Sequence, residues 1–248
     1  MSQPTKGYLL VASRDPIYYS WACNLMGGIK DYYPDAKVCL VTEQRFVDAR
    51  ADEADHLVIC DDHYRAKLWG LTQTPFDITF YLDADMEIIG EGIEEVFDEL
   101  GDNDMMFTGL PKDRWYVFME TEFPGGTFEL CGAVCLYRKT EKTMQFMQDW
   151  YDYYVKQYAN TWWPTNALGE PDEENYPRKS LSRWDQFTLW WLTNKEEKYQ
   201  DLKVAVFEND LRWNYWSTLD RIRTPMPENT VLLHLSCNAT RKISDIEL

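Results

Sequence analysis

No apolar run in this chain is long enough to span a bilayer, and no signal-peptide pattern precedes its first strand-like segment. Met1-Ser2-Gln3-Pro4-Thr5-Lys6 opens directly into that segment, so the expectation is a complete, soluble chain with no membrane anchor. Positive charge is scarce: 25 Lys and Arg stand against 42 Asp and Glu, a formal net charge of -17. Such a surface repels phosphate backbones and anionic lipid, which sets nucleic-acid and membrane-surface roles aside. No second Cys/His pair follows Cys131 and Cys135 at zinc spacing, which argues against a structural zinc module. Cys23, Cys39 and Cys60 lie in apolar segments as small hydrophobes. With Cys131, Cys135 and Cys237 they read as six reduced thiols, and the compartment as cytoplasmic. Internal repeats and low-complexity linkers are also absent, so residues 1–248 read as one domain.

What is present is a core-forming α/β pattern. Hydrophobic residues make up 45% of the chain, enough for a substantial core, and 11 Trp with 16 Tyr can also line sugar or base sites. Residues 7–13 predict a first strand, and Asp15-Pro16 starts a helix to about Lys30, with Asp15 as N-cap and Pro16 at the first helical position. Strands follow at 36–42 and 56–60, a helix at 66–73 ended by Thr74-Pro75, a strand at 78–82, a helix at 93–100 and a strand at 105–109. This alternation predicts a parallel, doubly wound sheet. The second half is less regular: a strand at 130–137, a long aromatic helix at 141–158, a loop over 159–183, a helix at 185–193, and late strands at 204–207 and 231–235. In open sheets of this type ligands bind beyond the carboxyl ends of the strands, where Ser13-Arg14, Asp83-Ala84-Asp85 and His234 are expected.

The most informative stretch is Phe80-Tyr81-Leu82-Asp83-Ala84-Asp85-Met86. A buried strand runs straight into two carboxylates spaced i, i+2, and on an extended chain such side chains point the same way. Two negative charges side by side at the end of a buried strand are costly unless a cation joins them. A divalent metal holding a diphosphate resolves that cost.

Several segments together resemble nucleotide-sugar transferases of the GT-A fold, most of all the glycogenin and bacterial lipopolysaccharide galactosyltransferase group. They are Asp83-Ala84-Asp85 preceded by Lys67-Leu68-Trp69, Val11-Ala12-Ser13-Arg14-Asp15 with Tyr18, Cys131-Gly132-Ala133-Val134, Trp184-Asp185-Gln186, and Leu232-Leu233-His234-Leu235. The resemblance implies a Rossmann-type, mostly parallel central sheet flanked by helices. It implies a metal held by Asp83, Asp85 and His234, with Ala84 beside the donor. Ser13, Arg14 and Tyr18 would hold the nucleoside, Tyr18 stacking on the base, with Tyr19 an equal candidate. Lys67 would contact the donor sugar or phosphate, and Asp185 and Gln186 would face the transferred sugar. The family's Asn-Ser-Gly-Val stretch has lost its Asn here. The Lys that follows the family's late His is displaced to Arg241 and Lys242, of which Lys242 is the candidate diphosphate ligand.

Transfer of a sugar from a nucleoside diphosphate builds negative charge on the leaving diphosphate, which a metal stabilises as a Lewis acid. Two carboxylates and an imidazole suit Mn²⁺, with Mg²⁺ as the harder alternative. The implied donor is a uridine diphosphate sugar and the implied outcome is retention. The acceptor is open among a glycan, a protein and a modified nucleobase in DNA, the last disfavoured by the acidic balance. Alone, each residue has a plainer reading: His234 as a core histidine, Asp185 as a helix cap, Lys67 as a solvated charge, and Trp162-Trp163 as loop packing. Arg178, Lys179 and Arg183 would make the 159–183 loop a lid over the phosphates, against the plainer reading of a surface loop.

Two rival enzymes and one binding protein share parts of this pattern. A haloacid-dehalogenase-like phosphohydrolase also carries Asp-X-Asp after a strand, but near the N-terminus and followed by Thr or Val, whereas Met86-Glu87 follow here. A nucleotidyltransferase usually opens with a Gly-rich loop, which Ser13-Arg14-Asp15-Pro16 is not. A non-catalytic carbohydrate-binding protein would need no metal and diphosphate set.

Overall fold

The structure is a computed structural model that describes residues 3–63, 65–110, 129–217 and 225–235. Its first half follows the alternation expected. Strand β1 (Lys6–Ala12) leads into helix α1 (Pro16–Tyr32), whose N-cap Asp15 accepts the Ile17 N–H at 3.0 Å with Pro16 at the first turn. Strands β2 (Val38–Thr42) and β3 (His56–Ile59), helix α2 (Ala66–Leu71) and strand β4 (Ile78–Leu82) come next. The short strand β5 (Met86–Ile88), a 3₁₀ turn at Ile93–Glu95, helix α3 (Val96–Glu99) and strand β6 (Met105–Leu110) complete this half.

Strand β7 (Glu129–Arg138) then enters between β4 and β6 and runs antiparallel to both. It is followed by helices α4 (Glu141–Tyr158), α5 (Arg178–Leu181) and α6 (Asp185–Asn194), strand β8 (Val204–Val206), helix α7 (Asp210–Trp213), and strands β9 (Tyr215–Trp216) and β10 (Leu232–His234). The central sheet has seven strands in the order β3-β2-β1-β4-β7-β6-β8, with β7 the one antiparallel member among them. A second sheet has the order β5-β10-β9.

The central strands are buried on both faces, which explains their unbroken apolar runs. Along β1, Tyr8, Leu10 and Ala12 join the core under α1, while Leu9 and Val11 join the opposite core with α2, α4 and α6. In β4, Phe80 and Leu82 face the first core and Tyr81 the second. A third cluster, Trp163, Tyr176, Leu181, Phe187 and Trp190, lies between α6 and the 159–183 segment. That segment is not a bare loop: it carries α5 and a bridge between Thr165 and Pro171. Trp163 is buried there, its indole N–H donating to the Tyr176 carbonyl at 2.9 Å, so it serves packing.

Candidate active site

Strand β4 delivers the acidic pair, but not by strand alternation. The ladder continues one residue past Leu82, where the Asp83 N–H donates to the Ala133 carbonyl of β7 at 2.9 Å. Ala84 and Asp85 then form a turn into β5. The two carboxylates therefore meet across a turn rather than along an extended chain, which corrects the strand-end picture.

His234 needs a second correction. Its strand does not end in the central sheet, because β1 and β7 already occupy both sides of β4. Strand β10 pairs antiparallel with β5 instead, His234 opposite Met86, and the Leu235 N–H donates to the Asp85 carbonyl at 2.8 Å. This pairing sets the imidazole beside the acidic turn: Nε2 lies 3.4 Å from Asp85 Oδ1. One ligand atom from each of Asp83, Asp85 and His234 falls within 4.8 Å of the others. Among the described residues this is the one group of three or more His, Cys, Asp or Glu side chains so arranged.

The electrostatics fit a cation. Asp85 and His234 are buried and Asp83 is half-buried. Burial pushes the Asp83 carboxyl above its usual range, and the Asp85 charge adds to the rise, against the opposing pull of Lys67. The Tyr81 hydroxyl, forced up by burial and by Asp83, stays protonated and donates to Asp83 Oδ1. A hard divalent ion would relieve this crowding, and two carboxylates with an imidazole match Mn²⁺ or Mg²⁺.

Helix α2 turns Lys67 inward. Its ammonium stands 3.6 Å from Asp83 Oδ1, 3.1 Å from Asp185 Oδ2 and 3.4 Å from the Gly132 carbonyl. Lys67 is thus not a solvated helix charge: burial disfavours its ammonium, but Asp185 and Asp83 outweigh that and raise its pKa. Asp185 does not cap α6, since the N-cap position is Trp184 and no side chain caps it. Its carboxylate faces Lys67 and the Arg65 guanidinium, at 3.8 Å. Burial pushes Asp185 up, yet the two cations hold it below the usual carboxylate range. The Trp150 indole fixes the start of α6 by donating to the Asp185 carbonyl at 2.9 Å. Gln186 follows, its amide 3.5 Å from the Leu130 carbonyl. Gly132 lets β7 pass close to this group: an added Cβ would lie 3.0 Å from the Trp150 ring, tight enough that the ring would have to give way slightly.

At the carboxyl ends of β1 and β2 a second polar group forms. The Ser13 hydroxyl and the Arg14 N–H both donate to Glu43 Oε1, at 2.8 and 2.5 Å. Arg45 pairs with the other oxygen at 2.7 Å. Glu43 is buried, which raises its pKa, but these donors outweigh burial and lower it. The clamp holds Arg14 at φ 74, a left-handed conformation that side chains avoid. The guanidinium of Arg14 reaches Asp62 at 3.4 Å. Of the two tyrosines, Tyr19 is core, its hydroxyl donating to Asp48 at 2.8 Å, whereas Tyr18 is half-buried beside Trp21.

Not every expected residue is gathered here. Lys242 and Arg241 lie outside the described residues, as does Cys237. The other five cysteines are free and buried. Arg178 pairs with Glu173 of its own segment at 2.9 Å and lies over Trp163, while Lys179 and Arg183 are exposed. Sequence reasoning missed Glu43 and Arg65, and also the two residues against the His234 ring, Asn214, whose Oδ1 is 2.9 Å from Nδ1, and Trp216, which packs on its face. Glu43 carried the same signal as Ser13-Arg14, a charged residue just past a strand's carboxyl end. Asn214 and Trp216 carried none, because α7 and β9 are too short to show a period.

No protein-family model matches this chain, and no curated protein matches it. Solved structures match it in fold. The galactosyltransferase LgtC, in complex with donor and acceptor sugar analogues, superposes with a TM-score of 0.59 at 14% identity, over 92% of this chain and 86% of that one. An active-site mutant of LgtC gives 0.57 at 13% identity, with 92% and 86% covered. The glycosyltransferase GlyE of Streptococcus pneumoniae TIGR4 gives 0.57 at 13% identity, over 92% of this chain and 54% of that one, so this chain spans about half of GlyE. At such identities the likeness is one of architecture: the chain has the GT-A-type fold, a mixed, mostly parallel seven-stranded sheet flanked by helices.

Proposed function

We propose that this chain is a metal-dependent glycosyltransferase, a single cytoplasmic domain that moves a sugar from a nucleoside diphosphate sugar, a uridine diphosphate sugar by preference, to an acceptor. The observation that carries this reading is the convergence of Asp83, Asp85 and His234 within 4.8 Å, beside the Lys67–Asp185 pair, in a fold shared with LgtC. The compartment rests on the five free cysteines and on the lack, among the described residues, of a helix long and apolar enough to cross a membrane.

Asp83, Asp85 and His234 would hold Mn²⁺ or Mg²⁺. When bound, that ion supplies charge stabilisation for the departing diphosphate. Ser13, Arg14 and Tyr18 hold the nucleoside at the ends of β1 and β2, with the Glu43 clamp fixing the loop. Lys67 offers its ammonium between the acidic turn and Asp185, where it meets the donor's sugar or phosphate. Asp185, kept ionised by Lys67 and Arg65, and Gln186 orient the transferred sugar. Lys242 adds a positive charge for the diphosphate. Resemblance supports retention of anomeric configuration.

A donor screen by thermal shift, with and without Mn²⁺, tests this reading. A uridine diphosphate sugar that raises the midpoint only with metal is the expected result, and Asp85→Ala is expected to abolish that shift while the chain stays folded. A metal-independent response, or none with any nucleotide, would overturn it.

A further inference from the structure

Behind His234 lies a buried polar chain that the transfer reaction does not explain. His234 Nδ1 is 2.9 Å from Asn214 Oδ1. Asn214 has no exposed surface, and its amide nitrogen donates to Thr108 Oγ1 at 2.9 Å and to Cys131 Sγ at 3.6 Å. The chain thus runs from β10 through the residue before β9 to β6 and β7. The Trp216 ring packs over the imidazole, centroids 3.8 Å apart and planes 31° from parallel. His234, Asn214, Thr108 and Cys131 are each nine-tenths or more buried, and Trp216 is half-buried.

A buried amide in water's absence must match each donor to an acceptor. An imidazole has two nitrogens, and the bond made by one decides which form the other takes. With the amide nitrogen committed to Thr108 and Cys131, the amide oxygen faces His234 and requires a proton on Nδ1. Nε2 is then left with its lone pair, 3.4 Å from Asp85 Oδ1 and turned toward the acidic turn.

We propose that Asn214 is a positioning residue that locks His234 in the Nδ1–H tautomer and so presents Nε2 as a ready-made metal ligand. Thr108 and Cys131 hold the Asn214 amide in the orientation this needs, and Trp216 holds the ring plane. Cys131, which stands where the resembling family has Asn, therefore acts behind the imidazole.

The inference rests on the metal site proposed above, but its first test needs no metal. The chain has three histidines, so long-range ¹H–¹⁵N correlation spectra of the metal-free protein can be assigned with His56→Gln and His63→Gln. The expected spectrum shows His234 protonated at Nδ1 at a pH where it is neutral. The second test is a Mn²⁺ titration by electron paramagnetic resonance of the wild type and Asn214→Leu, with Thr108→Val as the milder variant should Asn214→Leu not fold. Mn²⁺ affinity is expected to fall about 10- to 100-fold in Asn214→Leu and by less in Thr108→Val. A His234 protonated at Nε2 in the wild type, or wild-type Mn²⁺ affinity in the folded variant, would overturn the inference. Failure of the metal site itself reads differently: no Mn²⁺ binding by wild-type protein whose His234 already carries its proton on Nδ1.

Discussion

Lys67 bridges two acidic groups that arrive from different elements: its ammonium is 3.1 Å from Asp185 on α6 and 3.6 Å from Asp83 after β4. One cation thereby faces a buried carboxylate, Asp185, and a half-buried one, Asp83, and removing it takes the ammonium from beside Asp83 and the nearer of two cations from Asp185. Losing one partner of a buried ion pair typically costs about 3–5 kcal/mol. Lys67→Met is expected to lower unfolding stability by about 3 kcal/mol in urea at pH 7, and Lys67→Met with Asp185→Leu to recover part of that. Equal stability of the single and double variants would show that the pair is not coupled.

Asp85→Asn acts differently in the two states of the site. Without metal it removes a charge that pushes Asp83 up, so stability should change by less than about 1 kcal/mol. With Mn²⁺ the stabilisation seen in the wild type should vanish. Parallel melting curves with Mn²⁺ and with a chelator check both halves, and a retained metal shift would remove Asp85 from the ligand set.

Glu43→Gln loosens the clamp on Ser13, Arg14 and Arg45. Loss of a buried, charge-assisted acceptor predicts a fall in stability of about 1–2 kcal/mol and a nucleotide KM about tenfold higher with kcat held. Adding Arg14→Gly to Glu43→Gln should restore some stability, because glycine adopts φ 74 without strain. A further loss on adding Arg14→Gly would show that the clamp does not hold a strained backbone.

Acid stability should depend on Asp149. Burial raises this carboxyl, but Lys198, the Tyr199 hydroxyl and the Gln145 amide outweigh burial and hold it below its ordinary value. A carboxylate depressed in the folded state stabilises above its unfolded pKa, near 4, and that contribution is lost as pH falls through the folded value. Asp149→Asn should lower stability by about 1–3 kcal/mol at pH 7 and flatten the decline below about pH 4. Urea midpoints measured from pH 7 to pH 3 decide it: parallel wild-type and variant curves would exclude Asp149 as the source.

The parts legible in the sequence were those with a local signature. The Asp15-Pro16 helix start, the apolar run from Ile78 to Leu82 and the helix Glu141–Tyr158 are each written in neighbouring residues, and their bounds agree with the structure to within a few positions. The antiparallel entry of β7 is not local: it depends on which slot beside β4 stays open after β1 takes the other. The same holds for β5 and β9, strands of three and two residues that exist only because β10 lies between them. Asp83 and Asp85 were nameable because charge at the edge of an apolar segment demands a reason, whereas Lys67, Asp185 and His234 were nameable from the resemblance to GT-A transferases. Asn214 is neutral and buried, and only its neighbours in space reveal its use.

The strand pairing of β5 with β10 has a further consequence for biosynthesis. Asp85 and His234 are separated by more than half of the polypeptide, so the tripod cannot assemble while the ribosome still shields the tail. A nascent or prematurely terminated product would carry the acidic turn without its imidazole. On the proposed reading, a copy terminated before His234 would hold no metal at the acidic turn.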